Sequence, residues 1–225
     1  MTSGRTGVLG GTFDPIHLGH HDVAMAARAA LSLDRVLFIP SRRPPHRTEA
    51  QGATATDRLT MVRLAVEDDA GFDASDLEFQ STGPSFTSHT LSRLADKIAP
   101  CRMFFIIGAD AFADIATWHD YPDLLDQSHF VVVSRPGYPV AALGRVLPDL
   151  TWRMEQLTNA SPRLDHPEGT RIWLVDADTR DVSSSDIRTR LTTGLPIDGL
   201  VHSSVTAYIT RHGLYGATSD TSLHA

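Results

Sequence analysis

The chain has 225 residues, which suits one sizeable α/β domain and is too short for two domains of average size. Hydrophobic residues make up 41% and charged residues 21%, and this composition argues against a disordered, collagen-like or membrane-spanning protein. The formal net charge of -7 argues against a nucleic-acid partner, because binding to a phosphate backbone requires a broad basic face.

Cys101 is the one cysteine in the sequence, which excludes an internal disulfide and a cysteine-rich metal site. Such cysteine usage is typical of a reducing compartment. The first residues lead directly into a strand-like segment without the apolar stretch of a signal peptide, and no later segment approaches the length of a membrane span. We therefore expect a cytoplasmic protein without a membrane partner.

Short apolar segments alternate with helical patterns along the chain. The predicted strands are 7–9, 36–39, 103–107, 130–133 and 172–175, and the predicted helices are 20–31, 57–66, 88–98 and 121–125. Continuously apolar strands are typical of a sheet that is covered on both faces. The repeated β-α-β order predicts an α/β fold with a Rossmann-like, doubly wound parallel sheet.

One domain is predicted over residues 1–216, with a small helical portion near its C-terminal end. Residues 217–225 are small and polar, and we predict that they form a disordered tail. The proline-containing segments 42–52 and 153–170 are predicted to be loops. The second of these loops has no assigned role.

The first predicted strand is followed directly by the sequence GGTFDPIHLGH at residues 10–20, which opens a helix. Its two glycines allow the backbone to approach a ligand closely, and the Asp-Pro pair supplies a turn. The helix N-terminus presents free N–H groups and the positive end of its dipole to an anion. His17 and His20, three residues apart, are expected on one helix face, where both imidazoles can approach one triphosphate.

Two common phosphate loops and a zinc site fit this segment poorly. The spacings of the lysine P-loop and of the GxGxxG turn are absent, and a zinc site at His17, His20 and His21 lacks the glutamate of an HExxH motif. Either histidine alone is more simply interpreted as a surface or core residue. The whole segment resembles the signature of the nucleotidyltransferase superfamily with an (H/T)xGH motif, which includes adenylyltransferases and cytidylyltransferases.

The second predicted strand leads into PSRRPPHR at residues 40–47, which places Arg42, Arg43, His46 and Arg47 on a proline-stiffened loop. A solvated basic loop is the plainer interpretation of such a run. The Pro-Pro-His sequence with a following basic residue is also similar to nicotinate-nucleotide adenylyltransferases. That resemblance implies roles for His46 and Arg47 near a phosphate, and it assigns none to Arg42 and Arg43.

Three motifs after the middle strands occur in the same order as in nicotinate-nucleotide adenylyltransferases: IIGAD at 106–110, TWHDY at 117–121 and SRPGY at 134–138. Asp110 follows a strand, where a carboxylate can meet a ribose hydroxyl, or it caps a helix. Trp118 offers a flat face on which a pyridine ring can stack, or it is a core tryptophan.

Thr87 and Arg135 each have a structural and a functional interpretation. The sequence PSFT at 84–87 resembles the PSYT of this family, with Phe86 in place of a usual tyrosine. Thr87 therefore contacts the mononucleotide or only caps a helix. Arg135 contacts the mononucleotide phosphate or forms a surface ion pair.

The sequence VSSSDIR at 182–188 opens a helix, with Ser183 or Ser184 as the N-cap. Arg188 in its first turns offers five N–H donors to a polyphosphate. The segment is similar to the family's (I/V)SSTxIR motif, with Ser185 where threonine is usual. Residues 205–216 resemble the family's terminal YIxxxGLY segment.

The family resemblance implies adenylyl transfer from ATP to nicotinate mononucleotide, giving deamido-NAD and pyrophosphate, with Mg²⁺ carried by the ATP phosphates and no metal ligand from the protein. It implies catalytic roles for His17, His20 and Arg188. The implied ATP-binding residues are Gly10, Gly11, Thr12, Phe13, His17, Gly19, His20, Gly108, Asp110, Ser184, Ser185 and Arg188. The implied mononucleotide-binding residues are Thr12, Phe13, His46, Arg47, Thr87, Trp118 and Arg135.

Three alternatives are separable from this hypothesis. Phosphopantetheine adenylyltransferases share the first motif but are usually shorter and lack the TWHDY and SRPGY pair. A cytidylyltransferase is expected to carry (I/V)STTxI(I/V)xRI, which residues 182–191 meet only loosely. A nucleotide-sensing module would bind ATP without releasing pyrophosphate, and the presence of His17, His20 and Arg188 argues against it.

Overall fold

Seven parallel strands form one sheet in the computed structural model, which describes residues 4–45, 52–157 and 169–217. The strands are β1 (Thr6–Gly11), β2 (Arg35–Pro40), β3 (Phe72–Ala74), β4 (Met103–Gly108), β5 (His129–Val133), β6 (Met154–Gln156) and β7 (Ile172–Val175). The α-helices are α1 (Leu18–Leu31), α2 (Ala55–Val66), α3 (Thr87–Ala95), α4 (Ala109–Phe112), α5 (Leu143–Val146), α6 (Ser184–Thr192) and α7 (Ser203–Arg211). No helix within these described ranges is long and apolar enough to cross a bilayer.

The order of the strands across the sheet is β3-β2-β1-β4-β5-β7-β6. The chain proceeds from β1 outward to β3 and then returns to the other side of β1 with β4. The point between β1 and β4 is therefore the place where the winding direction reverses. In open parallel sheets such a switch point opens a crevice at the carboxyl ends of the strands, where ligands bind.

Two apolar layers cover the sheet, one on each face. Helices α1, α2, α6 and α7 contribute to the first layer, and α3, α4 and α5 contribute to the second. In β4, Phe104 and Ile106 pack in the first layer, whereas Phe105 and Ile107 pack in the second. Alternate residues of a strand point to opposite faces, so both faces of β4 must be apolar. The doubly wound parallel sheet predicted from the sequence is confirmed.

All five predicted strands are present, and the structure adds two short ones. Edge strand β3 and edge strand β6 have three residues each and lack the continuous apolar run of a central strand. Strand β6 lies at the start of segment 153–170, so the prediction of a loop there is wrong for its first residues. The predicted helix 121–125 is instead a 3₁₀ turn, Asp123–Asp126, which follows Pro122. Proline disfavours helical backbone geometry at the residue before it, so a helix does not begin at Tyr121.

Three predicted features fall wholly or mainly outside the described residues. They are the middle of the loop at 46–51, the segment 158–168 and the tail from residue 218 onward. The domain boundary at residue 216 also stays a prediction. The small C-terminal helical portion consists of α6 and α7, which pack on the first layer.

The central position of β4 gives a prediction for stability. Ile106 is fully enclosed in the first layer, so Ile106→Ala should leave a cavity and lower the free energy of unfolding by about 2–5 kcal/mol. Urea unfolding followed by circular dichroism measures this change. The matched control is Val146→Ala, whose side chain is 54% exposed and which should stay within about 0.5 kcal/mol of the parent. Equal unfolding midpoints for the two variants would contradict the assignment of Ile106 to the core.

Candidate active site

A buried carboxylate fixes the turn between β1 and α1. Asp14 is 2% exposed, and its Oδ1 accepts hydrogen bonds from the Ala53 N–H at 3.0 Å and from the Tyr215 hydroxyl at 2.5 Å. Gly52 lies so close, with φ of +124°, that a Cβ there would collide with Asp14 Oδ2. The turn is therefore attached both to the segment before α2 and to the C-terminal end of the described chain.

A buried arginine joins the loops that follow β1 and β2. Arg58 of α2 is 4% exposed, and its Nη1 donates to the carbonyl oxygens of Thr12 at 2.6 Å and Ser41 at 2.7 Å. Its Nη2 donates to the Arg42 carbonyl at 3.3 Å. Because one rigid guanidinium holds carbonyls from both loops, it fixes their separation at the carboxyl edge of the sheet.

The two histidines of the first motif are in direct contact. His17 is the N-cap of α1, and its ring stacks on that of His20 with centroids 3.7 Å apart. The backbone N–H of His17 lies 3.2 Å from His20 Nδ1, which therefore acts as an acceptor. In the neutral His20 ring the proton is then on Nε2, because the two ring nitrogens take opposite roles.

Both imidazoles are held in the neutral form. Burial is the main reason that the pKa of His17 falls from 6.5 to about 3, and the positive charge of Arg135 lowers it further. Desolvation, followed by the charges of His17 and Arg135, lowers the pKa of His20 well below its usual value. Removal from water disfavours a charged imidazolium, so both rings are uncharged at neutral pH before a ligand binds.

Arg135 lies against the first turn of α1. Its Nη2 donates to the Val182 carbonyl at 3.0 Å. A Cβ added at Gly19 would be 2.8 Å from Arg135 Nη1 and 3.0 Å from Val182 Cγ1, so glycine is required for this close approach. The sequence placed Arg135 with the mononucleotide residues, whereas the structure places its guanidinium beside the histidine pair. Its contact with a substrate phosphate stays a prediction.

The start of α6 lies against the same turn. Arg188 donates from Nη1 to the Asp14 carbonyl at 2.7 Å and from Nη2 to Ser185 Oγ at 3.0 Å. Ser184 Oγ donates to the Pro15 carbonyl at 2.8 Å. Ser183 is the N-cap, because its hydroxyl accepts from the backbone N–H at position 186 at 3.1 Å. The structure thus brings the three predicted catalytic residues to one turn.

A cavity of about 490 Å³ opens on the other side of β1. It is lined by Gly10, Gly11, Thr12, Ile39, Ser41, Pro44, Pro45, Glu78, Ser85, Phe86, Thr87, Thr90, Phe105, Thr117, Trp118 and His119. Trp118 is half-buried: it packs on the second apolar layer, meets Phe105 edge to face at 6.2 Å and also lines the cavity, so the structure combines the core and the cavity interpretations. The N-cap of α3 is Phe86, so the alternative of Thr87 as a cap is also wrong.

The remaining predicted binding residues include Phe13, Asp110, His46 and Arg47. Phe13 is 1% exposed and packs edge to face on His20 at 4.9 Å, so its side chain belongs to the core. Asp110 is exposed in the first turn of α4, whose N-cap is Gly108, so Asp110 is not the cap. His46 and Arg47 lie outside the described residues. The binding roles of all these residues stay predictions.

Sequence reasoning missed the residues that hold the turn. Arg58 had a usable signal, because it shares a helix face with Val62 and Val66 at intervals of four residues, and all three are buried. An arginine in an apolar stripe indicates a buried polar partner. The carboxylate of Asp14 and the hydroxyl of Tyr215 are 201 positions apart, and no local pattern connects them.

Known proteins resemble this chain along almost its whole length. The cytidylyltransferase-like family model matches residues 8–190. A probable nicotinate-nucleotide adenylyltransferase of Desulfitobacterium hafniense (strain Y51) is 40% identical over 212 residues, covering 94% of this chain and 95% of the relative. Another, from Roseiflexus sp. (strain RS-1), is 40% identical over 217 residues, covering 96% of this chain and 100% of the relative.

Solved structures show the same fold. The nicotinic acid mononucleotide adenylyltransferase of Plasmodium falciparum complexed with NaAD has a TM-score of 0.69 at 18% identity, covering 96% of this chain and 98% of that chain. The same enzyme complexed with APC has a TM-score of 0.67 at 16% identity, with the same coverage. Together with the sequence relatives, which carry the assignment, these findings show that the chain belongs to the nicotinate-nucleotide adenylyltransferase family of cytidylyltransferase-like nucleotidyltransferases.

Proposed function

We propose that this site transfers the adenylyl group of ATP to nicotinate mononucleotide, a step of NAD biosynthesis that yields deamido-NAD and pyrophosphate. A phosphate oxygen of the mononucleotide attacks the α-phosphorus of ATP, a P–O bond forms, and the bond to the β-phosphate breaks. The observation that carries this proposal is the position of a histidine and arginine cluster beside an aromatic cavity, both at the carboxyl end of β1. Family membership supports the same reaction.

The cavity suits the pyridine mononucleotide. Trp118 offers a partly exposed indole face to a flat ring, and such contacts contribute about 0.5–1.5 kcal/mol beyond area burial. Thr12 and Thr87 add hydroxyl groups to the lining, and Gly10, where a Cβ would project toward Phe105, leaves the floor open to close approach. The cavity volume is within the usual range for sites that hold small molecules.

The cluster suits the triphosphate. His20 presents a neutral ring whose Nε2–H is a hydrogen-bond donor, and it lies in the first turn of α1, where the positive end of the helix dipole favours an anion. Arg188 and Arg135 supply positive charge at two sides of the same turn. Catalysis of such a transfer consists of positioning the reactants and stabilising the charge that develops on the phosphates.

We also propose that Mg²⁺ arrives with the phosphates of ATP rather than on ligands from the protein. Among the described residues, His89, His119 and Asp120 are the group of three side chains close enough together to bind one metal ion. They are not part of the histidine and arginine cluster. Mg²⁺ prefers oxygen ligands and keeps several waters, which suits coordination by phosphates. The bound ion would offset negative charge on the triphosphate. A cytoplasmic location stays a prediction from the sequence.

The substrate assignment is tested by a pyrophosphate-release assay with ATP and three separate acceptors. We expect turnover with nicotinate mononucleotide, and the comparison includes nicotinamide mononucleotide and phosphopantetheine. Turnover with phosphopantetheine alone would overturn the substrate while leaving the superfamily assignment in place. ATP binding without pyrophosphate release for any acceptor would favour the nucleotide-sensing module.

Removing the imidazole of His20 should weaken the transition state. We expect His20→Ala to lower kcat/KM for ATP by at least about tenfold, equivalent to about 1.4 kcal/mol, because one donor to the triphosphate is lost. Steady-state kinetics measure this, and circular dichroism checks the fold. The control is His212→Ala, an exposed histidine at the end of α7 that should keep full activity. Parental kinetics in a folded His20→Ala enzyme would remove His20 from the mechanism.

The hydroxyl of Tyr215 should support activity from a distance. Tyr215→Phe removes a donor from the buried carboxylate of Asp14, and a hydrogen bond to a charged group contributes about 1.5–3 kcal/mol. We expect lower stability and a lower kcat/KM for ATP, because Asp14 also holds Arg188.

The matched control for this variant is Tyr208→Phe. Tyr208 donates to Asp57 Oδ1 at 2.9 Å, a bond of the same chemistry between α7 and α2. We expect Tyr208→Phe to affect stability without changing kcat/KM. If both variants keep parental kinetics, the bond to Asp14 has no role in positioning the turn.

A further inference from the structure

A second group of titratable side chains lies at the edge of the cavity. His89 belongs to α3, and His119 and Asp120 follow Trp118. All three are exposed, and one ligand atom from each lies within 4.8 Å of the others. His119 Nδ1 is already 2.9 Å from Asp120 Oδ2. His119 also lines the cavity, and the reaction proposed above assigns a role to none of the three side chains.

Ring packing holds the two imidazoles next to each other. His119 stacks on Phe86 with centroids 4.1 Å apart and an interplanar angle of 17°. His89 meets Phe86 edge to face at 5.5 Å and His119 at 5.2 Å. The aromatic contacts therefore bring together side chains from two separate elements, and exposure leaves a path by which an ion can enter.

The donor set selects a class of metal. Two imidazoles and one carboxylate suit Zn²⁺, Ni²⁺ or Co²⁺, whereas Mg²⁺ prefers oxygen ligands alone. Bonds of 2.0–2.1 Å place neighbouring ligands about 2.9–3.4 Å apart, depending on the angle at the metal. The His119–Asp120 pair already has this spacing, and small rotations of the exposed His89 side chain would complete it.

We propose that His89, His119 and Asp120 form a binding site for a divalent transition-metal ion, with Zn²⁺ as the best match and water completing the coordination. An ion bound there joins α3 to the segment that follows Trp118. Both of these elements line the cavity, so the metal would fix the distance between two parts of its wall. This site is separate from the Mg²⁺ that accompanies ATP.

The test is a Zn²⁺ titration of the full chain against a chromogenic chelator, without nucleotide, alongside thermal unfolding with and without Zn²⁺. We expect the parent to bind an equivalent of Zn²⁺ that is weakened at least about tenfold in His89→Ala and in Asp120→Asn. Asparagine is chosen at position 120 because the backbone there has φ of +63°, which asparagine tolerates. Zn²⁺ should raise the Tm of the parent but not of these variants, because only the native parent holds the ion.

Two controls isolate the site. His212→Ala removes an exposed histidine from α7 and should titrate like the parent, and Mg²⁺ at the same concentration should not reproduce the shift in Tm. Identical Zn²⁺ titrations for the parent, His89→Ala and Asp120→Asn would overturn the proposal. An effect of His212→Ala as large as that of His89→Ala would also overturn it, because binding would then reflect surface histidines in general.

Discussion

The buried carboxylate of Asp14 is the constraint on which the site depends. A charge removed from water is tolerated only when hydrogen bonds replace its hydration, and here the donors come from Ala53 and Tyr215. The turn after β1 is therefore held by hydrogen bonds from the segment before α2 and from the C-terminal end of the described chain. Arg188 in turn donates to the backbone carbonyl of Asp14, so a proposed catalytic residue is attached to the same turn.

Two chemically different environments, a cavity and a helix N-terminus, adjoin each other at the switch point of the sheet. Strand β1 ends with Gly10 and Gly11 in the lining of an aromatic cavity, and the chain then turns into a helix N-terminus with stacked histidines. The cavity suits a flat, partly apolar ligand, whereas the turn suits a polyphosphate. A reaction that joins a pyridine nucleotide to ATP requires both environments within one crevice.

The turn combines uncharged imidazoles with charged guanidinium groups. Burial lowers the pKa of His17 to about 3, and the pKa of His20 is shifted in the same direction, so both imidazoles are uncharged at neutral pH before a ligand binds. The guanidinium groups of Arg135 and Arg188 lie close by, where they donate to the backbone carbonyls of Val182 and Asp14. Gly19 permits this close approach, because a Cβ there would lie 2.8 Å from Arg135 Nη1 and the guanidinium would have to shift.

The sequence by itself determined the central strands, the parallel fold, the family and the segment at 10–20, because each of these is encoded in contiguous residues or in a fixed order of motifs. Tertiary structure decided what the local patterns could not. It placed Arg135 beside the histidines, gave Arg58 and Tyr215 their partners, showed Trp118 to line a cavity, and brought His89 to His119. The physical reason is that hydrogen bonds and ring contacts between residues far apart in the sequence form only when the sheet brings their elements together.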